Sequence, residues 1–200
     1  MERILFIVAL FFACTFANAQ QITRTDDFKE GESKFGFDAT ADKKHSVSFD
    51  DEYLILTSQK GIYKVGTRFP VRTKDYYKLT YKVLCPKFDA NHYFGLVFNF
   101  DEENNTGDIL YISENKFWIV GADGKQIGKA EKIFLKKGKN VEITVEIEKK
   151  GKKLIIAING MDVINEDLQI RNSYMGFCVN ENNTLKVDKV QITQNEEEDE

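Results

Sequence analysis

Four aliphatic residues, Val141, Ile143, Val145 and Ile147, alternate without a break with Glu142, Thr144, Glu146 and Glu148. A helix would spread these side chains around its axis. A strand sends successive side chains to opposite faces, so this segment offers one face to a core and the other to water. The same period recurs in "EYLILTS", "YYKLTYKVL", "YFGLVFNF", "DILYIS", "KFWIVGA", "KLIIAING", "YMGFCVN" and "LKVDKVQI". Asp123-Gly124, Lys150-Gly151 and Asn159-Gly160 fall between such segments, where tight hairpin turns call for residues that tolerate positive φ. Helical spacing with capping residues is missing from every stretch of ten or more residues. Many short strands about ten residues apart predict an all-β, antiparallel two-sheet sandwich. A repeat of fixed period, as a propeller needs, is not evident.

The N-terminus reads as an export signal. "MERILFIVALFFACTFANAQ" has a charged start at Arg3, an apolar run from Ile4 to Ala13, and Ala17-Asn18-Ala19 before Gln20. That run is too short to span a bilayer, and no later segment reaches the roughly 18 apolar residues a span requires. The expected organisation is a signal peptide over 1–19, one sandwich domain over 20–193 and an acidic disordered tail over 194–200. The expected location is outside the cytoplasm: secreted, periplasmic or on the cell surface. Of 28 basic and 32 acidic side chains, Arg3, Glu2 and the five acids of "EEEDE" lie in the terminal segments, leaving 27 against 26. A body so nearly neutral gives no electrostatic footprint for nucleic acid, whose binding needs a clustered positive face.

Cleavage after Ala19 removes Cys14 and leaves Cys85 and Cys178. Cys85 ends the row Tyr77, Leu79, Tyr81, Val83, whereas Cys178 is out of phase with Met175, Phe177 and Val179. If both rows face the core, the sulfurs point to different sides of their sheets, and two buried thiols are expected rather than a disulfide. A zinc site needs more ligands than His45, His92 and these cysteines supply.

The order of "DDFKEG", "YLILTS", "YYKLTYKV", "YFGLVFNFDEENN", "LYISENKFWIVGADGK", "VEITVEIEKKGKKLIIAING" and "YMGFCVNENNTLKVDKVQI" resembles the concanavalin A-like jelly-roll group. Within it, the similarity is to secreted bacterial domains related to laminin-G-like modules and family 16 glycoside hydrolases. The resemblance runs from about residue 26 to 193 and implies a jelly roll whose relatives bind or cleave carbohydrate. Family 16 hydrolases carry E-x-D-x-x-E on one strand, placing nucleophile and acid on the same face; retaining chemistry wants them about 5–5.5 Å apart. This chain lacks that motif. Its nearest echo, Glu146 and Glu148, would lie about 6.6 Å apart on one strand face, with the third acid missing and lysines following. A solvated strand face accounts for them, and no enzyme activity is expected.

The loop Asp101–Asp108 offers Asp101, Glu103, Asn105 and Asp108 as oxygen donors. Calcium bound there is the alternative to an expectation of no metal and no cofactor, because several concanavalin-like proteins carry that ion. The EF-hand order fails: Gly107 takes the seventh place and Ile112 the twelfth, where Glu is required. A polar hairpin loop explains the same residues.

The aromatic residues of 92–120 remain. If Phe94, Leu96, Phe98 and Phe100 face the core, Tyr93 and Asn99 face away. If Leu110 and Ile112 point inward, Tyr111 points outward; if Phe117 and Ile119 do, so does Trp118. Tyr93, Asn99, Tyr111 and Trp118 would then share one face of neighbouring strands and form a ligand-binding platform, with rings stacking on sugar C–H faces and the amide bridging hydroxyls. The competing reading turns Trp118 inward with Val120. Three functions follow: a secreted non-catalytic module binding glycan on an outer concave face; a structural or protein-interaction domain of a cell-surface assembly with no small ligand; and, more distantly, a divergent glycosidase-like enzyme.

Overall fold

The computed structural model describes residues 21–50, 52–151, 153–165 and 168–195. The predicted signal peptide and the acids of 196–200 lie outside them. In chain order the strands are β1 (Gln21–Asp26), β2 (Thr40–Ala41), β3 (His45–Phe49), β4 (Leu54–Ser58), β5 (Tyr63–Arg68), β6 (Tyr77–Phe88), β7 (Phe94–Asp101), β8 (Thr106–Ile112), β9 (Lys116–Val120), β10 (Gln126–Lys132), β11 (Gly138–Lys150), β12 (Lys153–Ile158), β13 (Met161–Asn165), β14 (Tyr174–Val179) and β15 (Asn183–Asn195). The helical content of the described residues is one short 3-10 turn at Lys29–Gly31, and no helix among them is long and apolar enough to cross a membrane. Both residues of the Asn159-Gly160 hairpin have positive φ, 49° and 76°, as a two-residue turn matching the strand twist demands.

Among the described residues every strand pairing is antiparallel, and the strands form two sheets. A nine-stranded sheet runs β13-β12-β11-β6-β15-β4-β3-β2, with β1 also on β15; a six-stranded sheet runs β10-β9-β8-β7-β14-β5. Strand β15 is the seam of the larger sheet. One edge lies along β6 from Lys186 to Gln194, while the other is divided between β4 at Asn183–Val187 and β1 at Val190–Asn195. A register shift between Val187 and Lys189 lets both Val187 and Val190 face the core, where each is fully buried.

The alternation that defines the strands also builds the core. Tyr77, Leu79, Tyr81, Val83 and Cys85 of β6 and the four aliphatic residues of β11 meet Leu96, Phe98, Leu110, Phe117, Met175 and Phe177 of the opposing sheet. Each fully buried large side chain removes enough apolar surface from water to contribute about 1.5–3 kcal/mol. The polar N-terminal stretch is tied down by its phenylalanines: Phe28, Phe35 and Phe37 are buried, and the Phe37 ring lies 5.7 Å from that of Phe177. Asp26, wholly buried, orders this stretch by accepting hydrogen bonds from Ser33 Oγ (2.6 Å) and the backbone N–H of Phe35 (2.9 Å).

Two expectations need correction. The domain runs to Asn195 rather than 193, because Gln194 is an inward residue of β15 whose Oε1 accepts from the backbone N–H of Arg72 at 3.0 Å. Phe100 does not continue the inward row of Phe94, Leu96 and Phe98. A bulge between Phe98 and Asp101, with Asn99 at φ 52°, uses one extra residue and turns Phe100 to the outer face, where its ring covers Gly66.

Candidate functional site

The outer face of the six-stranded sheet carries a second apolar cluster, separate from the core. Val97, Phe100, Ile109, Tyr111 and Cys178 are buried in it, with Tyr93, Trp118 and Val120 packed half-buried against them. The phase of β9 explains the outward Trp118: Phe117 and Ile119 are each 1% exposed on the inner side, so the residue between them turns away. Tyr111 and Trp118 are register partners on β8 and β9. Their rings stack at 5.1 Å with an interplanar angle of 23°, and Tyr93 meets them edge-on at 5.5 and 5.2 Å. These edge-to-face and offset arrangements suit the ring quadrupoles.

Tyr93 precedes β7 and is held by two buried asparagines. Its N–H donates to Asn180 Oδ1 (3.0 Å), and its carbonyl accepts from Asn183 Nδ2 (3.1 Å). Gly95 makes room for the cluster: a Cβ there would meet Cys178 Sγ at 2.5 Å and Ile109 Cγ2 at 2.6 Å. The Tyr111 side chain closes over this glycine beside Cys178, and burial first, then the neighbouring thiol, pushes its phenol well above the ordinary range. Burial also raises Tyr93. Both phenols are therefore neutral donors at physiological pH.

Asn99 does not join this platform. The bulge turns its amide toward a different set of partners: Nδ2 donates to Asp108 Oδ2 (2.6 Å) and the Gln169 carbonyl (2.7 Å), while Oδ1 accepts from the backbone N–H of Arg171 (2.7 Å). It fastens the 169–172 segment to the sheet and has no place in the aromatic groove.

That groove has a volume of about 610 Å³ and is lined by Tyr93, Tyr111, Trp118, Ile62, Lys64 and Asn105, among others. A second groove of about 600 Å³ follows edge strand β5 past Phe100, Arg68 and Tyr174 and shares Lys64 and Asn105 with the first. Lys64 Nζ donates to the Asn105 carbonyl at 2.7 Å and so marks the boundary between them. At the far rim Lys116 Nζ lies 4.7 Å from the centroid of the Trp118 ring. The arrangement supplies aromatic surface flanked by an amide and ammonium groups. Sequence phase found Tyr111 and Trp118; it missed Lys64, Asn105 and Ile62, which come from distant loops and an edge strand.

The cysteines are both free and buried. Cys85 belongs to the core and Cys178 to the outer cluster, the separation their phases predict. Burial pushes each thiol up to about 12, so thiolate is scarce at pH 8. Protein beginning at Gln20 is expected to resist a thiol-specific chromophore while folded and to release two equivalents in denaturant. Failure of the denatured protein to react would mean the sulfurs are bonded.

Glu146 and Glu148 project from the outer face of the nine-stranded sheet, on the opposite side of the sandwich from Trp118. Lys78 Nζ lies 2.7 Å from Glu146, and Lys150 Nζ lies 3.2 Å from Glu148. The Asp101–Asp108 loop does not converge either. Asp101, held below its ordinary value by hydrogen bonds from Asn104, faces its own turn, whereas Asp108 is buried against Asn99, Arg171 and the Ala122 N–H. Among the described residues, no group of three or more His, Cys, Asp or Glu side chains is placed to hold a metal ion.

No family model and no curated protein matches this chain. Solved structures do. The cellulose induced protein Cip1 matches at a TM-score of 0.57 and 15% identity, over 84% of this chain and 96% of that one. A Bacillus licheniformis beta-glucanase matches at 0.56 and 11%, over 85% and 97%. The Emp47p carbohydrate recognition domain matches at 0.51 and 12%, over 87% and 95%. A sialidase matches at 0.52 and 12% over 77% of this chain, which spans 16% of the sialidase chain. The fold is therefore a concanavalin A-like jelly roll.

Proposed function

We propose that this chain is an exported, non-catalytic sandwich module that binds glycan on the outer face of its six-stranded sheet. The observation that carries the reading is the packed set of Tyr93, Tyr111 and Trp118, with ring centroids 5.1–5.5 Å apart along one groove. Preorganised rings lose little entropy when a sugar ring stacks on them, and Lys64 and Asn105 lie where hydroxyls would need partners. The fold shared with a carbohydrate recognition domain supports the reading. The lysine-paired state of Glu146 and Glu148, remote from the groove, supports the absence of hydrolysis. A protein-interaction domain is the second reading, favoured by Ile62 and Tyr174, which are 47% and 41% exposed along the β5 side.

A glycan array on residues 20–200 tests the proposal, followed by titration of Trp118→Ala with the best ligand. Loss of this central aromatic contact is expected to weaken binding by about 1–3 kcal/mol. Because Trp118 is half-buried, the same change should lower stability by only about 1–2 kcal/mol, less than a core aromatic would lose. No binding by the wild type anywhere on the array would leave the interaction domain standing. Turnover of β-glucan abolished by Glu146→Gln or Glu148→Gln would overturn the non-catalytic assignment.

A further inference from the structure

Phe134 is 84% exposed, although the segment carrying it is well held. The backbone N–H of Ile133 donates to the Asn115 carbonyl (3.1 Å) and that of Leu135 to the Glu114 carbonyl (2.8 Å). This short ladder extends the β-like alternation beyond β10: Ile133 is 5% exposed, Leu135 packs half-buried on the core, and Phe134 between them points into solvent. The exposure follows from the backbone register and is not a matter of loose chain.

Lysines surround this side chain. Lys132, Lys136, Lys137 and Lys139 flank it in sequence and are all exposed. Strand pairing brings two more to the same end of the sandwich, since Lys116 is the register partner of Lys132, and Lys87 that of Lys139. Like charges placed opposite one another are unfavourable in a sheet, yet this end holds two such pairs. Among the described residues, Lys132, Lys136, Lys137 and Lys139 have no ion pair. The nearby acids are few: Glu114, Glu131, and Asp89, which is engaged with His92 at 2.8 Å. A body of nearly balanced charge thus concentrates positive charge around one projecting aromatic ring.

We propose that this end of the sandwich docks on an anionic lipid surface, with Phe134 inserted at the headgroup–acyl boundary and the lysines against acidic headgroups. Interfacial binding combines apolar burial with attraction of basic residues to anionic lipid, and this site carries both elements. A glycan fits less well, because Phe134 projects from the surface and lines no groove. The docking is independent of the glycan reading, but Lys116 touches the Trp118 ring, so the aromatic groove would open close to the membrane surface.

Sedimentation with vesicles tests this, using protein that begins at Gln20. Phosphatidylcholine vesicles containing phosphatidylglycerol should carry the protein down, pure phosphatidylcholine vesicles should not, and rising salt should release it. Phe134→Ala and the double change Lys136→Glu/Lys137→Glu should each weaken partition about tenfold or more without altering thermal unfolding, because these side chains are exposed. In the pair Trp118→Phe/Phe134→Trp, the new indole should shift its emission to the blue on anionic vesicles. The proposal falls if anionic and neutral vesicles behave alike. It falls equally if Phe134→Ala instead abolishes self-association in sedimentation velocity, which would assign the ring to a second copy. Retention on heparin that depends on the lysines, with no vesicle binding, would reassign the patch to an acidic polymer.

Discussion

Gly176→Ala is expected to destroy the fold. A Cβ at this position would lie 1.9 Å from the Val65 carbonyl oxygen and 2.6 Å from Gly66 Cα. Both are backbone atoms of β5, so no side chain can swing aside to relieve the clash. Gly176 and Gly66 are register partners, and among the described residues β5 has β14 as its only neighbour in the sheet. The strand must peel away, exposing Phe177 and removing Lys64 from the groove. The expected cost exceeds about 4 kcal/mol, a large fraction of the roughly 5–15 kcal/mol that holds a domain together. Gly124→Ala is the natural control. Its φ is positive, unlike that of Gly176, but nothing lies within 4 Å of the added carbon, so the change should cost about 1 kcal/mol. Soluble yield and thermal unfolding of the two variants decide the matter; a Gly176→Ala protein that melts beside the wild type would refute the close approach of β14 and β5.

Asp108→Ala should be the next most damaging change. The carboxylate is 6% exposed and gathers three donors: the Ala122 backbone N–H at 3.1 Å, Asn99 Nδ2 at 2.6 Å and Arg171 Nη2 at 3.0 Å. The arginine side chain is 66% exposed and would return to water, so its loss from the pair matters little. The Ala122 N–H and the Asn99 amide would be left short of an acceptor, each at about 1–3 kcal/mol, giving about 2–6 kcal/mol together. Ala122 also lines the aromatic groove, so under the proposed function glycan affinity should fall alongside stability. Arg171→Ala should cost less than about 1 kcal/mol. Denaturant unfolding of both variants gives the comparison; equal losses would show that the ion pair rather than the buried carboxylate holds this corner.

The two-sheet architecture was legible because β6, β11 and β15 each bury one face, and burial on one face writes a period of two into the sequence. β1, β2, β5 and β10 escaped for the converse reason. Most of their residues are exposed or half-buried, so neither face selects apolar side chains. The bulge at Asn99 was hidden by its chemistry. Asn tolerates the left-handed conformation, but one asparagine in an otherwise regular row does not announce it, and the alternation carried past it placed Phe100 inside and Asn99 on the platform. Trp118 was decided by its neighbours Phe117 and Ile119 rather than by its own character. The depth of Tyr111 beneath it depends on Gly95 and Cys178 across two strand pairings, which a single segment cannot reveal.

The position of β15 has a consequence for the order in which the domain can form. Among the described residues the last strand to be synthesised is β15, which joins β6 to both β4 and β1, so the larger sheet has no continuous centre until residue 195 has left the ribosome. Nascent chains that lack this strand would hold β1 and β4 without their hydrogen-bonding partner, and the inner face of β6 without a neighbour on that side. Closure therefore waits for β15, and contacts of such long sequence separation form slowly.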